Sequence, residues 1–223
     1  MVKLYLVRHC EAEGNAARLF HGHYDSSITE NGRRQLEKLA RRFSGIKLDR
    51  IYSSPLKRAH ATASAISEGR GIDIKLHPGL MEINGGDIEG ISWRDFPLQY
   101  PDLAEQWNDN PHLVVMPGGE SMAQLQNRIW STVLDIVGEN PPGSTILAAS
   151  HGCAIRSALC CAMNIPIENL GQIPWGENTN VNLLEFSEDL SCNVIFKNDS
   201  AHLDDDLLTL GKQRWFKEGT LFE

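Results

Sequence analysis

The 223-residue sequence lacks several features that would assign it to common protein classes. It has five cysteines without a C-x-x-C pair and eight histidines without an H-x-x-x-H pair, so neither a disulfide framework nor a zinc-binding spacing is visible. We therefore expect reduced thiols in a cytoplasmic protein, and no metal. No apolar run is long enough to span a membrane, and the N-terminal apolar stretch is too short for a secretion signal.

Positive charge is also scarce in this sequence. The 21 lysines and arginines are outnumbered by 29 aspartates and glutamates, which gives a formal net charge of -8. Such a surface repels nucleic acid and anionic membranes, so neither is an expected partner. Local clusters of basic residues must then bind a smaller anion, and we expect a small phosphorylated metabolite.

Motifs of three other classes of phosphate-handling enzyme are missing. A P-loop kinase requires G-x-x-x-x-G-K-[ST], which does not occur. A cysteine-dependent phosphatase requires arginine six positions after its cysteine. The residues at those positions are Ala16, Leu159, Pro166, Ile167 and Asn198. An aspartyl phosphatase of the D-x-D-x-T type has a near match beginning at Asp204, but the run does not follow a strand and has Leu208 where threonine is needed.

Hydrophobic patterning predicts alternating strands and helices. The apolar run Val2–Val7 is typical of a buried parallel strand, and Thr29 is a good N-cap for a helix over 30–43. The other predicted strands are 49–53, 72–76, 144–149, 181–186 and 192–196, and the other predicted helices are 56–68, 120–137 and 152–163. This alternation predicts a three-layer α/β/α sandwich with a mostly parallel central sheet.

One segment interrupts this pattern. Residues 83–119 are rich in Gly, Pro and Trp and have little periodicity, so we interpret them as a lid-like excursion with short helices around Trp93 and Trp107. We expect a single domain over residues 1–223 that includes this segment. An edge strand around Ile195 would be able to support a homodimer.

Polar side chains follow three of the predicted strands. The first strand ends at Arg8-His9, the second is followed by a helix carrying Arg58, and the fourth ends at His151-Gly152. In open α/β sheets the carboxyl ends of the strands border the ligand crevice. Imidazole is a nucleophile near neutral pH, guanidinium groups bind phosphate oxygens in pairs, and helix N-termini favour anions. The three strand ends therefore predict one phosphate site.

Several motifs, taken in order along the chain, resemble those of the histidine phosphatase superfamily, which includes cofactor-dependent phosphoglycerate mutase. The matching segments are Arg8-His9-x-Glu11 with Asn15, Ser53-Ser54-Pro55-Leu56-x-Arg58-Ala59-x-x-Thr62-Ala63, Leu80-Met81-Glu82 with Gly86 and Glu89-Gly90, Gly118-Gly119-Glu120-Ser121, and Ser150-His151-Gly152. The resemblance covers nearly the whole chain. It implies a phosphoglycerate mutase-like fold and a phosphatase that needs no metal or other cofactor.

The resemblance also implies roles for individual residues. His9 would attack phosphorus and become a phosphohistidine, which water later hydrolyses. Glu82 would act as general acid and base, first protonating the leaving alkoxide and then activating water. The residues implied to surround the phosphate and stabilise its charge are Arg8, Arg58, His151 and Asn15.

The sequence departs from the family pattern at two positions. Cys10 stands where the family usually has glycine, either as a buried small apolar residue or as a site sensitive to oxidants. His21 replaces the small hydroxyl residue or glutamine that usually precedes Gly22, and it fits either a place near the substrate or a solvated structural role. We expect Gly22 and Gly152 to lie near the substrate. Arg156, one helical turn after His151, fits either a phosphatase motif or a charge on the helix surface.

The composition of the lid-like segment favours a phosphatase over a mutase. Mutases of the family carry a longer lid with additional basic residues for a second phosphate. The acidic residues of this compact segment are Asp87, Glu89, Asp95, Asp102, Glu105 and Asp109. We therefore predict a phosphoric monoester hydrolase. A cofactor-dependent phosphoglycerate mutase, an isomerase, and a non-catalytic phospholigand-binding module remain the alternatives, and the substrate stays open.

Overall fold

The computed structural model describes residues 1–212, so positions 213–223 of the predicted domain lie outside the described residues. Within this range one sheet has the strand order β3-β2-β4-β1-β5-β6. The strands are β1 (Val2–Arg8), β2 (Arg50–Ser53), β3 (Ile74–Leu76), β4 (Thr145–Ser150), β5 (Val181–Phe186) and β6 (Cys192–Asp199). The pairs β1/β4, β2/β4 and β2/β3 are parallel, whereas β1/β5 and β5/β6 are antiparallel. The predicted mostly parallel sheet is confirmed.

Helices connect these strands. The α-helices are α1 (Glu13–Ala16), α2 (Glu30–Phe43), α3 (Lys57–Ser67), α4 (Phe96–Gln99), α5 (Pro101–Asp109), α6 (Met122–Gly138) and α7 (Gly152–Ala162). Short 3-10 turns lie at Pro78–Leu80, Gly86–Ile88, Pro111–Leu113, Ile167–Gln172, Asp205–Leu207 and Leu210–Lys212. The helix over 30–43 begins and ends as predicted. It begins at Glu30 because the Thr29 side chain accepts the Gly32 N–H and caps the N-terminus.

The central strands are buried on both faces, which produces the three layers. On β4, Ile146 and Ala148 pack into one hydrophobic core, which also contains residues of α6 and α7. The alternating residues Leu147 and Ala149 pack into a second core with α2 and α3. Because successive side chains of a strand point to opposite faces, a nearly continuous apolar run supplies both cores.

The segment 83–119, here called the lid segment, packs against the larger of these cores through Phe96 and Val114. The prediction of a helix around Trp93 was wrong. Trp93 lies in a turn before α4, where the Asp95 N–H donates to the Ser92 hydroxyl and the Trp93 N–H donates to a distant carbonyl. The helix around Trp107 is present as α5. Movement of the segment as a lid stays a prediction.

None of the helices within residues 1–212 combines the length and the apolar character that crossing a lipid bilayer requires.

Candidate active site

A cleft lies at the carboxyl ends of the three parallel strands β1, β4 and β2. The register aligns Arg8 with Ser150, and the His9 N–H donates to the Ser150 carbonyl, so the ends of β1 and β4 lie side by side. The cleft has a volume of about 450 Å³ including its open mouth. Its polar lining residues are Arg8, His9, Asn15, His21, Arg58 and Glu82, and the others are Leu19, Phe20, Gly22, Ile83, Trp93, Trp107, Cys153 and Trp175.

The imidazole of His9 is oriented by its own chain. Its Nδ1 lies 2.6 Å from the Cys10 carbonyl oxygen, which only accepts hydrogen bonds, so Nδ1 carries the proton of the neutral ring. Burial and the nearby guanidinium groups of Arg58 and Arg8 hold the pKa of His9 well below the usual 6.5. The ring is therefore neutral near pH 7 and has a lone pair on Nε2, which is the form a nucleophile requires.

Two buried guanidinium groups lie near this ring. Arg58 donates to the carbonyls of Gly22 at 2.8 Å and Tyr24 at 3.0 Å, and Arg8 donates to that of Gly176. Burial lowers the pKa of each arginine to about 10, so both remain protonated at neutral pH. In the described part of the chain, the buried Nε atoms of both arginines lack a hydrogen-bond partner. Two buried, positively charged groups that each have an unpaired N–H donor are suited to binding an anion.

His151 lies beside His9, with 5.1 Å between the ring centroids. Its Nε2 is 2.8 Å from the Ser54 hydroxyl, which itself accepts the Leu56 N–H and can direct its own hydrogen to Nε2. The proton of the neutral ring then lies on Nδ1, a buried atom that has no partner among the described residues. Burial, Arg58 and His9 hold the pKa of His151 well below 6.5.

The carboxylate of Glu82 lies at the N-terminus of α7. Its Oε2 accepts the Cys153 N–H at 2.9 Å, and its Oε1 accepts the N–H groups of Ala154 and Ile83, both at 3.0 Å. The free N–H groups and the dipole at a helix N-terminus stabilise negative charge. Glu82 is thereby held in the lining of the cleft.

The loop that carries Glu82 is held by an arginine that sequence reasoning missed. Arg128 of α6 donates to the carbonyls of Gly79 at 2.9 Å, Met81 at 3.0 Å and Glu82 at 3.0 Å. The same guanidinium donates to both carboxylate oxygens of Glu120. Glu120 of the Gly-Gly-Glu-Ser motif thus pairs with the arginine that holds the Glu82 backbone, whereas Ser121 caps the N-terminus of α6.

The structure also brings Asn15 and His21 to the cleft. The Oδ1 of Asn15 accepts the Ala12 N–H at 3.0 Å, which leaves its amide nitrogen as the donor available to a ligand. His21 lies 6.5 Å from His9 between ring centroids, and its Nε2 is 3.0 Å from the Ser26 hydroxyl. Burial, Arg58 and Arg8 lower the pKa of His21 to about 3, so its ring is uncharged.

Both predicted glycines allow close packing around the site. Gly22 has a φ of +47°, and a Cβ there would lie 2.5 Å from a carboxylate oxygen of Glu89. At Gly152, a Cβ would lie 2.9 Å from the ring of Trp175 and 3.3 Å from the Nε of Arg8. A Cβ at either distance would force neighbouring atoms to move. The close packing at Gly22 and Gly152 therefore requires that these residues have no side chain.

Two residues of the Arg8-His9-x-Glu11 motif point away from the cleft. The Cys10 side chain is fully buried, and burial raises the pKa of its thiol to about 11. This environment favours an inert thiol over a redox-sensitive one. Glu11 accepts hydrogen bonds from the Thr29 hydroxyl and the Asn31 amide at the start of α2, so it supports the helix.

The interpretation of Arg156 as a helix-surface charge was wrong. Its side chain is only 8% exposed and donates to the carbonyls of Ile173 at 2.8 Å and Leu170 at 3.0 Å. The residues around it in α7 are almost all apolar or small, which indicates a helix buried on every side. That pattern is the signal by which the sequence could have identified a buried arginine.

Comparisons with known proteins identify the family of this chain. The family model described as histidine phosphatase superfamily (branch 1) matches residues 4–199. A relative named phosphoserine phosphatase 1, from Hydrogenobacter thermophilus, is 32% identical over 204 residues, which cover 91% of this chain and 95% of that protein. A Cronobacter sakazakii protein named probable phosphoglycerate mutase GpmB is 32% identical over 166 residues, covering 74% of this chain and 77% of its own.

Solved structures extend the likeness to the fold. Bacillus stearothermophilus YhfR has a TM-score of 0.87 and 30% identity, with 92% of this chain and 100% of that chain covered. A phosphoserine phosphatase mutant from Entamoeba histolytica, in complex with phosphoserine, has a TM-score of 0.78 and 27% identity over 92% and 100% of the two chains. The chain belongs to the histidine phosphatase superfamily.

Proposed function

We propose that the protein is a phosphomonoesterase that hydrolyses a small phosphorylated metabolite through a phosphohistidine on His9, without a metal ion. One observation carries this proposal: a neutral imidazole with its lone pair on Nε2 lines the same cleft as two buried guanidinium groups, which are close enough to lower its pKa. The family membership and the relatives named phosphoserine phosphatase support the same class of reaction.

In the first step, the phosphate of the substrate binds between Arg8 and Arg58. The Nε2 lone pair of His9 forms a bond to phosphorus as the bond from phosphorus to the leaving oxygen breaks. Glu82 begins this step protonated, gives its proton to the leaving alkoxide and becomes a carboxylate. Each well-placed donor on the equatorial oxygens, His151 and Asn15 included, contributes about 3 kcal/mol to lowering the barrier.

In the second step, the Glu82 carboxylate takes a proton from a water molecule, whose oxygen attacks phosphorus. The bond between phosphorus and Nε2 breaks, inorganic phosphate leaves, and His9 returns to its neutral form. Glu82 lies close enough to the backbone of α7 to be held in one place for both proton transfers.

The cellular location, the size of the substrate and the oligomeric state are also part of what we propose. A cytoplasmic location is supported by the five free cysteines. A substrate smaller than nucleic acid is supported by the net charge of -8. A homodimer through the edge strand β6 is supported by the exposure of Ile195 on it, and light scattering tests this directly.

Turnover of p-nitrophenyl phosphate in the presence of EDTA tests the proposed reaction. We expect hydrolysis, loss of activity in His9→Ala, and acid-labile, base-stable labelling of His9 by a phosphate-labelled substrate. The matched control is His60→Ala, because His60 is exposed on α3 and does not line the cleft. Phosphate binding without turnover would indicate a non-catalytic module. Turnover only with added metal would contradict the proposal.

A mutase is the second candidate, favoured by the relatives named probable phosphoglycerate mutase GpmB. A mutase must bind 2,3-bisphosphoglycerate, which carries a carboxylate and two phosphates. The charged side chains of residues 1–212 that line the cleft are Arg8, Arg58 and Glu82, which supply only two positive charges. Arg94 in the lid segment is exposed and does not line it. Incubation with 3-phosphoglycerate and catalytic 2,3-bisphosphoglycerate decides: isomerisation faster than phosphate release would favour the mutase.

A further inference from the structure

The indole of Trp175 is held in the wall of the cleft by a buried arginine. The Arg156 guanidinium lies 4.2 Å from the centroid of the Trp175 ring. It also donates to the carbonyls of Ile173 and Leu170, in the segment that leads to this tryptophan. A planar guanidinium that stacks on a ring and holds the preceding backbone restricts both the position and the tilt of that ring.

Two other contacts restrict the same indole. The ring approaches Gly152 so closely that a Cβ there would lie 2.9 Å from Trp175 Cζ3. The next residue, Gly176, accepts a hydrogen bond from Arg8 through its carbonyl. Trp175 is therefore fixed relative to the start of α7 and to the phosphate-binding arginine, and it lines the cleft beside them.

Another part of the cleft lining is made of packed aromatic rings. Phe20 lies 5.2 Å from Trp93 and 5.3 Å from Trp107 between ring centroids, and the two tryptophans are 5.6 Å apart. All three line the cleft, together with Leu19 and Ile83. Such mutually packed rings form a rigid apolar surface.

Charge is unevenly distributed over the described lining. The charged lining residues are Arg8 and Arg58, which bind the phosphate in the proposed reaction, and Glu82 at the α7 N-terminus, which transfers the proton. An ionised carboxylate or ammonium group on the leaving group would lose water against the aromatic residues, and the described lining offers it no charged side chain besides these three. An uncharged aryl or alkyl group would instead gain by leaving water.

We propose that the cleft selects phosphomonoesters whose leaving group is aromatic or otherwise apolar and uncharged, with Trp175 as the residue that determines this selectivity. Arg156 is its positioning residue. The inference rests on the proposed phosphatase activity and deepens it. It separates this protein from relatives named phosphoserine phosphatase, whose named substrate carries two further charges.

A comparison of kcat/KM for 2-phenylethyl phosphate, ethyl phosphate and O-phosphoserine tests the substrate class. All three release an alkyl alcohol, so they differ mainly in what the walls must accommodate. We expect 2-phenylethyl phosphate to exceed O-phosphoserine by about 10-fold or more, as burial of a phenyl ring predicts. Equal values, or a preference for O-phosphoserine, would overturn the proposed class.

Variants of Trp175 test the specificity-determining residue. Trp175→Ala should lower kcat/KM for 2-phenylethyl phosphate by about 10-fold, mainly through KM, and change that for ethyl phosphate less than about twofold. Trp175→Phe should retain most of the preference. Arg156→Lys should raise KM for 2-phenylethyl phosphate with kcat unchanged, because lysine keeps the charge and loses the planar stack. Equal losses for both substrates would overturn the assignment.

Trp130→Ala is the matched control. Trp130 packs against Phe186, with 6.1 Å between centroids, and does not line the cleft, so the ratio between substrates should stay unchanged. Urea unfolding checks that each variant is folded, and Trp175→Phe keeps the test valid if Arg156→Lys does not fold. No hydrolysis of any ester, p-nitrophenyl phosphate included, would overturn the proposed function. Hydrolysis with a preference for charged leaving groups would overturn this inference alone.

Discussion

The side-chain amide of Asn178 donates a hydrogen bond of 3.1 Å to the backbone carbonyl of His9. Its Oδ1 accepts the Thr209 hydroxyl at 2.8 Å, and the Thr179 N–H donates to the same His9 carbonyl at 3.2 Å. The backbone that carries the proposed nucleophile is thus held by the segment before β5 and, through Thr209, by the end of the described chain.

Replacement of Asn178 by alanine should weaken both the fold and the reaction. The variant removes the hydrogen bonds to the His9 carbonyl and from the Thr209 hydroxyl, although these groups keep Thr179 and Glu177 as partners. The loss of two hydrogen bonds lowers the free energy of unfolding by about 1–3 kcal/mol. A less restrained His9 should also lower kcat. Urea unfolding and p-nitrophenyl phosphate kinetics measure the two effects. Asn193→Ala, at an exposed position of β6, is the control, and an Asn178 variant that behaves like it would contradict the prediction.

Glu82→Gln should separate the two chemical steps. Glutamine keeps one oxygen acceptor for the α7 N–H groups but cannot transfer the proton, so kcat for an alkyl phosphate should fall about 10²- to 10⁴-fold. Since p-nitrophenolate leaves without protonation, p-nitrophenyl phosphate should give a burst near one equivalent of product followed by slow turnover.

Stopped-flow absorbance and labelling of the phosphoenzyme measure this burst. Glu105→Gln is the matched control, because Glu105 is exposed on α5 and does not line the cleft. Steady-state rates equal to those of the control would exclude Glu82 from proton transfer.

Gly152→Ala should lower both the stability and the activity. The added methyl would lie 2.9 Å from the Trp175 ring and 3.3 Å from Arg8 Nε, so one of them must move. Overpacking of this kind lowers the free energy of unfolding by about 1–3 kcal/mol. Gly138→Ala at the end of α6 meets nothing within 4 Å and should leave kcat/KM unchanged. Two variants with equal activity would contradict the close packing described at Gly152.

The free energy of unfolding should fall as the pH drops below 6.5. Burial lowers the pKa of His21 to about 3 and that of His202 to about 4, and it holds those of His9 and His151 well below 6.5. Below pH 6.5 the unfolded chain therefore binds more protons than the folded one. Each histidine then removes up to about 1.4 kcal/mol per pH unit, whereas its contribution is fully present above pH 6.5.

Urea unfolding at a series of pH values from neutral to acidic measures this slope. His21→Gln should reduce the slope of the free energy of unfolding against pH by the contribution of one histidine, up to about 1.4 kcal/mol per pH unit. His60→Gln, at an exposed position of α3, serves as the comparison and should preserve it. A steeper loss of stability in the His21 variant than in the wild type would show that the sign of the shift is wrong.

The fold class and the family could be predicted from local signals. The sequences of β1 and β4 are nearly continuous apolar runs, which predicts strands buried on both faces. Capping residues such as Thr29 mark where a helix begins. Parallel strands bring their carboxyl ends to one edge of the sheet. The sequence alone therefore predicts that Arg8, His9 and His151 lie close together.

Contacts between distant residues were beyond such signals. Arg8 finds its carbonyl partner 168 positions away at Gly176, and no periodicity links the two. Trp175 and Asn178 lie in irregular backbone between α7 and β5, where the sequence has neither strand nor helix pattern. The turn at Trp93 likewise depends on a backbone partner in a separate part of the chain.

The sequence by itself determined the architecture, the family and the set of chemical groups, because burial pattern and residue type are local properties. Tertiary structure alone decided which nitrogen of His9 holds the proton, which way Cys10 faces and that Arg156 is buried beneath Trp175. Those properties depend on desolvation and hydrogen-bond geometry, which arise only when segments far apart in the chain pack together.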